Sequence, residues 1–216
     1  MRRLRLALSA VVLTGWLLTP TAHGATLPSF QSVRATHQPS DLTLLDRRGE
    51  PLQTLRRDMT VRRLPWVALS DISPAMRTAI VLSEDQRFWQ HSGVDWHAVA
   101  GSAWANLWNQ RTRGASTVTM QLAGLLSESS TSGAARRNWS QKVSQAWHAG
   151  QLERQWRKSD ILEAYLNLVP FRGETVGLAA MSQTLFRKHP SGLDAQEAAI
   201  AAALVRGPNA RADVVA

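Results

Sequence analysis

The sequence predicts a mainly α domain with a small β-hairpin, preceded by an N-terminal export signal or membrane anchor. Three observations lead there. From Ser73 onward, apolar residues recur at helical spacing between recognisable caps and stops. Upstream, "LTLLDRRGEPLQTLRRD" alternates around a glycine-containing turn. At the start, "MRRLRLALSAVVLTGWLLTPTAHGATLPS" sets three arginines before an uncharged apolar run. A chain of 216 residues holds one domain with a real core, or one domain plus an anchor, and is too short for two large domains.

The apolar run, Leu6 to Leu18, is 13 residues long. A spanning helix needs roughly 20. A signal cleaved near the small residues Ala22 to Ala25 fits, and so does a signal-anchor that uses its flanks. Both place the rest of the chain outside the cytoplasm, with the basic end inside. Pro28, Pro39 and many small polar residues make 26–40 read as a linker, extended to 45 by the domain boundary, with the folded domain over 46–210. Asp46-Arg47-Arg48-Gly49 is the expected hairpin turn, with Gly49 free to take positive φ. Arginine pairs at 47–48, 56–57 and 62–63 read first as a solvated face and second as a rest for anionic headgroups.

The helices follow. Ser73-Pro74 caps one that the spacing carries to about Trp89. Asp95 caps a second, Trp96 to about Gln110. "RTRGAST" breaks the pattern, and a helix resumes near Thr117. After the polar loop "SESSTSGAA", a long helix runs from about Ala135 to Trp156, with Trp139, Val143, Trp147 and Gly150 on one stripe. Ser159 and Asp160 cap "ILEAYLNLV", which stops at Val169-Pro170. Two more helices span about Val176–Phe186 and Asp194–Val205, and Gly207-Pro208 ends the last.

Composition narrows the function. The formal net charge is +9, from 25 Lys+Arg against 16 Asp+Glu, which favours an anionic partner such as acidic lipid or a phosphorylated substrate. The chain has no cysteine, which excludes disulfides and thiolate catalysis. Nucleic acid is disfavoured by the export signal and by arginines that are not interleaved with aromatics.

The chemistry concentrates in "VLSEDQRFWQHSGVD", Val81 to Asp95. Two adjacent carboxylates, Glu84 and Asp85, follow an apolar run and precede Phe88, Trp89 and His91. On a helix, Glu84, Phe88 and His91 share one face at i, i+4, i+7, with Asp85 about 100° round. Apolar company makes a carboxylate harder to keep ionised and a better proton acceptor near neutral pH. A surface acid pair beside a core Phe is the bland alternative. The second segment is "RGASTVTMQ", Arg113 to Gln121. Its small, hydroxyl-rich turn leads into a helix start, where backbone N–H groups attract anions. Thr117 and Gln121, four apart, can present a hydroxyl and an amide to one ligand.

Together, "EDQRFWQHSGVD" and "RGASTVTMQ" resemble the "ED..F..H.G" and "G.ST.TQQ" motifs of the peptidoglycan glycosyltransferase module found in class A penicillin-binding proteins and monofunctional transglycosylases, the family 51 glycosyltransferases. A third match is "DILEAYLNLVPFRGETVGLAA", with Tyr165, Leu166, Asn167 and Gly173, similar to the family's "IL..YLN....G". The resemblance covers about Asp46 to Val205. "NLVPF" and Met120 in "STVTMQ" resemble the C-type subgroup most.

The resemblance implies a bilobal, lysozyme-like fold and an inverting transfer. The 4-hydroxyl of lipid II attacks a growing polyprenyl-linked glycan, and polyprenyl pyrophosphate leaves. Glu84 matches the general base, and Asp85 a residue that tunes it or binds an ion. Phe88 and His91 match wall residues, while Ser116, Thr117 and Gln121 match the phosphate and sugar cleft. Lys142 and Gln145 match the next motif, "RK..E". Two departures stand out. Gly124 replaces a usual lysine. "QKVSQ" places Gln141 and Gln145 where an arginine and a glutamate are common, although C-type members also carry Gln at the latter. Arg113, Arg136, Arg137 or a divalent cation such as magnesium or manganese are candidates for the missing positive charge; no metal ligand is assigned.

No Ser-x-x-Lys motif occurs, so the chain is expected to polymerise glycan without crosslinking peptides. The expected setting is the outer, periplasmic side of the cytoplasmic membrane, with cell-wall synthesis proteins as partners. Trp104 and Trp108 read as core first and as a membrane-facing platform second. Two alternatives differ in class: a degenerate module that binds lipid II or a synthesis partner, and a lytic lysozyme-like enzyme.

Overall fold

In the computed structural model, the described residues are 27–97, 116–128 and 139–207, with backbone alone for 51, 128 and 139–142. They form seven α-helices: α1 (Phe30–Thr36), α2 (Pro74–Glu84), α3 (Val118–Glu128), α4 (Trp139–Gln155), α5 (Lys158–Leu168), α6 (Leu178–Phe186) and α7 (Ala195–Arg206). Strands β1 (Asp41–Leu45) and β2 (Pro51–Arg56) make the hairpin, and β3 (Arg62–Arg63) pairs in parallel with β4 (Thr175–Val176). The chain is mainly helical, as predicted. Among the described residues no helix is long and apolar enough to cross a membrane.

Local chemistry explains the boundaries. Ser73 Oγ accepts the Met76 N–H at 3.1 Å, with Pro74 at the first helical position, so α2 starts where the cap and proline place it. Asp194 Oδ1 accepts from the N–H groups of Gln196 and Glu197, both at 2.9 Å, while Glu197 accepts the Asp194 N–H at 3.1 Å. This reciprocal box starts α7. In the hairpin, Asp46 Oδ1 accepts from Arg48 and Glu50 N–H, and Gly49 takes φ +82°.

Helix α5 is the centre. Every residue from Ile161 to Asn167 is buried. Its polar members close the fold by fastening the preceding extended segment. Glu163 accepts from Trp66 Nε1 and from the Leu69 N–H, each at 2.7 Å. Asn167 pairs with both backbone groups of Val67, at 2.8 and 2.9 Å. A buried carboxylate and amide so fully engaged carry little desolvation penalty. Helices α3, α4 and α1 pack around α5, while α7 lays Ala198, Ala201 and Ala202 against α2. Small residues there allow close helix approach.

Four expectations need correction. The predicted helix to Trp89 ends at Glu84: Asp85 leaves it at φ −159°, ψ 78°. Glu84, Phe88 and His91 therefore do not share a helical face. The segment read as a linker contains α1, capped by Ser29 and held by Phe30 packing edge-on against Trp156 at 5.5 Å and Trp66 at 6.1 Å. The stripe expected on α4 faces outward: Val143 and Trp147 are 66% and 67% exposed, because α4 packs through Ala149 and Leu152 instead. Helix α5 starts at Lys158, placing Ser159 and Asp160 inside its first turn; Asp160 accepts the Arg157 N–H at 3.3 Å. Residues 98–115, with Trp104 and Trp108, lie outside the described set.

Candidate active site

The end of α2 separates the two adjacent carboxylates. Glu84, on the last helical residue, turns toward α3. Its Oε2 accepts from Gln121 Nε2 at 2.9 Å, and Gln121 Oε1 accepts from the Tyr165 hydroxyl, also at 2.9 Å. This relay fixes which way the Gln121 amide points. Burial, and then the Glu84 charge, push the Tyr165 hydroxyl well above its usual ionisation range, so it remains a proton-bearing donor. Among the described residues, Glu84 Oε1 has only a long contact, with Ser83 Oγ at 3.3 Å.

Asp85 is buried and closed in. His91 Nε2 lies 2.9 Å from both carboxylate oxygens, and the Val118 N–H donates to Oδ2 at 3.0 Å. That N–H is an orphan donor of the first turn of α3, so Asp85 serves it as a remote cap. Phe88 is fully buried, packed edge-on to His91. Lys158 Nζ stands 4.4 Å over the Phe88 ring and is paired at 2.6 Å with Glu153, which also accepts from Thr119 Oγ1 at 2.7 Å. Phe88 and His91 thus support the wall from behind and do not line the cleft.

A cleft of about 440 Å³ opens in front, lined by Glu84, Asp85, Arg87, Asp95, Ser116 and Arg206 among others. Thr117 lines it too, but its hydroxyl is used: it donates to Gly93 O at 2.6 Å and accepts the Met120 N–H at 3.1 Å. Gly93 sits at φ +94°, with its Cα so close to Ala149 that a Cβ would lie 2.9 Å from that residue's carbonyl carbon. This contact seats the turn between the carboxylates and α3. Of the cations in the cleft, Arg87 is committed to Asp95 through both Nε, at 2.9 Å, and Nη2. Arg206 has no ion-pair partner among the described residues.

The two sequence departures meet. A Cβ on Gly124 would lie 2.9 Å from Gln145 Nε2, so the Gln145 amide occupies the space of a side chain at 124. Lys142 is in the first turn of α4, and its side chain, like that of Gln141, lies outside the described residues. Arg113, Arg136, Arg137, Gly114 and Ala115 also lie outside them. Among the described residues, no three His, Asp or Glu side chains converge to hold a metal ion. Asp85 and Asp95 are each taken by a cationic or N–H partner, which does not fit the divalent cation considered above.

Sequence reasoning missed Arg206 and the site role of Tyr165. Nothing local marks Arg206, which stands beside a helix stop. Tyr165 carried a signal: it is the single tyrosine, inside a buried helical run, and its hydroxyl needs a partner.

A family model described as Transglycosylase matches residues 48–215. Penicillin-binding protein 1C of Escherichia coli (strain K12) is 37% identical over 162 residues, covering 74% of this chain and 20% of that protein. Penicillin-binding protein 2D of Bacillus subtilis (strain 168) is 36% identical over 145 residues, 67% of this chain and 20% of that protein. The biosynthetic peptidoglycan transglycosylase of Rhodospirillum centenum is 36% identical over 164 residues, covering 74% of this chain and 68% of that protein. The chain thus spans a fifth of the length of the two penicillin-binding proteins it matches.

Proposed function

Because the chain belongs to the transglycosylase family, we propose that it is a peptidoglycan glycosyltransferase, which polymerises lipid II into glycan strands. The observation that carries this reading is Glu84 at the cleft, fixed through one oxygen and open at the other. Gln121 holds Oε2, so Oε1 receives the proton of the attacking 4-hydroxyl of lipid II. The new bond forms at the anomeric carbon of the growing glycan as its bond to pyrophosphate breaks, inverting that centre. Tyr165 and Gln121 keep the carboxylate oriented, and orientation of a base accounts for much of its effect. Asp85 acts at one remove, by anchoring the start of α3 and the turn that carries His91.

The departing polyprenyl pyrophosphate is an anion and needs cationic help. Arg206 lines the cleft and is the uncommitted cation there among the described residues. Ser116, at the start of α3, adds a hydroxyl. Gln145 and Lys142 extend this surface in the reading drawn from the sequence. The two-lobed lysozyme-like arrangement, export to the outer face of the cytoplasmic membrane on the periplasmic side, and association with cell-wall synthesis proteins belong to the same proposal.

The bare Gly124, filled by a neutral amide, favours a second reading: a module that binds lipid II or a synthesis partner without turnover. A lipid II polymerisation assay on the purified chain separates the two. Glycan chains that a moenomycin-type inhibitor suppresses, and that disappear in Glu84→Gln, support the transferase. Retained lipid II binding with no polymer supports the binding module. Normal turnover in Glu84→Gln would overturn the mechanism.

A further inference from the structure

Lys158 is the first residue of α5, and two terms oppose a lysine there. The N–H groups of a first helical turn favour anions, so a cation works against the helix dipole. Its side chain is only 20% exposed and that of its partner Glu153 only 7%, so both charges are largely taken out of water. An ion pair in that setting contributes little net stability, because its attraction is set against lost hydration. A neutral pair of similar size would join α4 to α5 as well. The reason for the charged pair therefore lies in what else it touches.

Glu153 Oε1 accepts from Lys158 Nζ at 2.6 Å and from the Thr119 hydroxyl, on the first turn of α3, at 2.7 Å. Lys158 Nζ in turn stands 4.4 Å from the centre of the Phe88 ring. Phe88 meets His91 edge-on at 6.4 Å, and His91 Nε2 lies 2.9 Å from both oxygens of Asp85. Asp85 accepts the N–H of Val118, the neighbour of Thr119. The contacts thus close a circuit from Glu153 through Lys158, Phe88, His91 and Asp85 to the start of α3 and back. Phe88 and Thr119 in it are fully buried. The circuit joins the turn after α2 to the first turn of α3, the two segments from which Glu84 and Gln121 meet. Neither Lys158 nor Glu153 lines the cleft, so any effect they have on the reaction passes through the others.

We propose that Lys158 is a positioning residue for the transfer at Glu84. Held by Glu153, its ammonium group fixes the Phe88 ring, and through His91 and Asp85 it sets the end of α2 against the start of α3. A cation over an aromatic face binds it more firmly when water is excluded, as it is here. The effect on turnover rests on the transferase reading; the positioning itself does not.

The test is the double variant Glu153→Gln, Lys158→Met in the full chain. It removes both charges together, keeps an oxygen for Thr119 and keeps the volume, so no lone charge is left buried. Its melting temperature is expected to stay close to that of the wild type. In the lipid II polymerisation assay, kcat should fall at least about tenfold with KM within about twofold, because a misplaced base slows turnover without weakening substrate binding. Lys158→Arg keeps the charge and can stack on the ring, and should hold turnover within about threefold of the wild type. Amide hydrogen exchange reads the positioning without the reaction. In the double variant the Val118 N–H should exchange at least about tenfold faster, while that of Leu166, in the middle of α5, keeps its protection. Unchanged Val118 exchange overturns the proposal, as does unchanged kcat where the wild type polymerises. Equal loss of protection at Val118 and Leu166, or a collapse in melting temperature, makes the pair merely structural and overturns it too. If the wild type forms no polymer, the transferase reading fails, and the exchange measurement still decides the positioning.

Discussion

Glu84 and Asp85 are neighbours in sequence, yet they occupy two different environments. Among the described residues, the partners around Glu84 are neutral, and one oxygen is left with a single long contact. Around Asp85 both oxygens are engaged by an imidazole and one also by a backbone N–H, and the side chain is buried. The helix ends between them, and that single break divides labour: one carboxylate stays available for chemistry, the other becomes structure. An acid pair in a sequence need not be a pair in function.

The largest effect should come from the available side. Glu84→Gln keeps the shape and the contact with Gln121 but removes the base, so turnover should fall at least about a hundredfold. Thermal melting should stay within a degree or two of the wild type. A large drop in melting temperature would show that Glu84 is structural as well, and the contrast would fail.

Asp85→Ala should do the reverse. It strands the Val118 N–H and His91, at a cost of about 3 kcal/mol by the usual worth of hydrogen bonds to a charged group. Chemical denaturation reads this directly. A loss under about 0.5 kcal/mol, within the range of ordinary surface substitutions, would mean that Asp85 does not anchor α3.

A smaller effect tests the wall between α3 and α4. Gly124→Ala should push the Gln145 amide aside at small cost, because it meets the end of a flexible side chain, and the gain in helix propensity should leave the net change within about 1 kcal/mol of zero. In the Gly124→Ala, Gln145→Ala double variant, the clash is gone. Its stability should then exceed that of Gln145→Ala alone by about 1 kcal/mol, the full propensity gain of alanine over glycine, and more than Gly124→Ala gains over the wild type, a non-additive cycle. Additive effects would uncouple the two positions.

Tyr165→Phe removes the end of the relay. It should cost about 1 kcal/mol and lower kcat more than it raises KM, because the Gln121 amide is freed to rotate. Equal effects on both would make Tyr165 a packing residue only.

The smallest effect concerns pH, away from both carboxylates. His37 has its ionisation lowered, chiefly by burial. On acidification the unfolded chain takes up this proton first. The stability tied to neutral His37 is therefore fully present above the usual histidine range and is lost as pH falls through the lower folded value. Comparing wild type with His37→Gln at pH 7 and pH 5 isolates it: the difference in stability should shrink at the lower pH.

Much of this was legible in the residues. The Ser73-Pro74 cap, the helix starts near Thr117 and Asp194, the hairpin turn at Asp46–Gly49 and the stop at Val169 are local signals, and the structure keeps them. The break after Glu84 was not legible. "EDQRFW" contains good helix formers, and the helix stops because Asp85 is drawn to an N–H group 33 positions away. Helix α1 hid for a similar reason. Proline and small polar residues around it suggest a tether, while its stability comes from Trp66 and Trp156, far along the chain. At the site, the motifs pointed to Glu84 and Gln121, but only the fold could reveal Arg206, the Tyr165 end of the relay and the meeting of Gly124 with Gln145.

The relay from Glu84 through Gln121 to Tyr165 joins segments separated by 37 and 44 positions. Such contacts close long loops and form late, after local helices are in place. The site is therefore assembled by the final docking of α2, α3 and α5, with no preformed local piece. Any partly folded species that retains helices but loses this docking will keep its circular dichroism and have no active centre, so activity in this chain is a gauge of its global cooperativity.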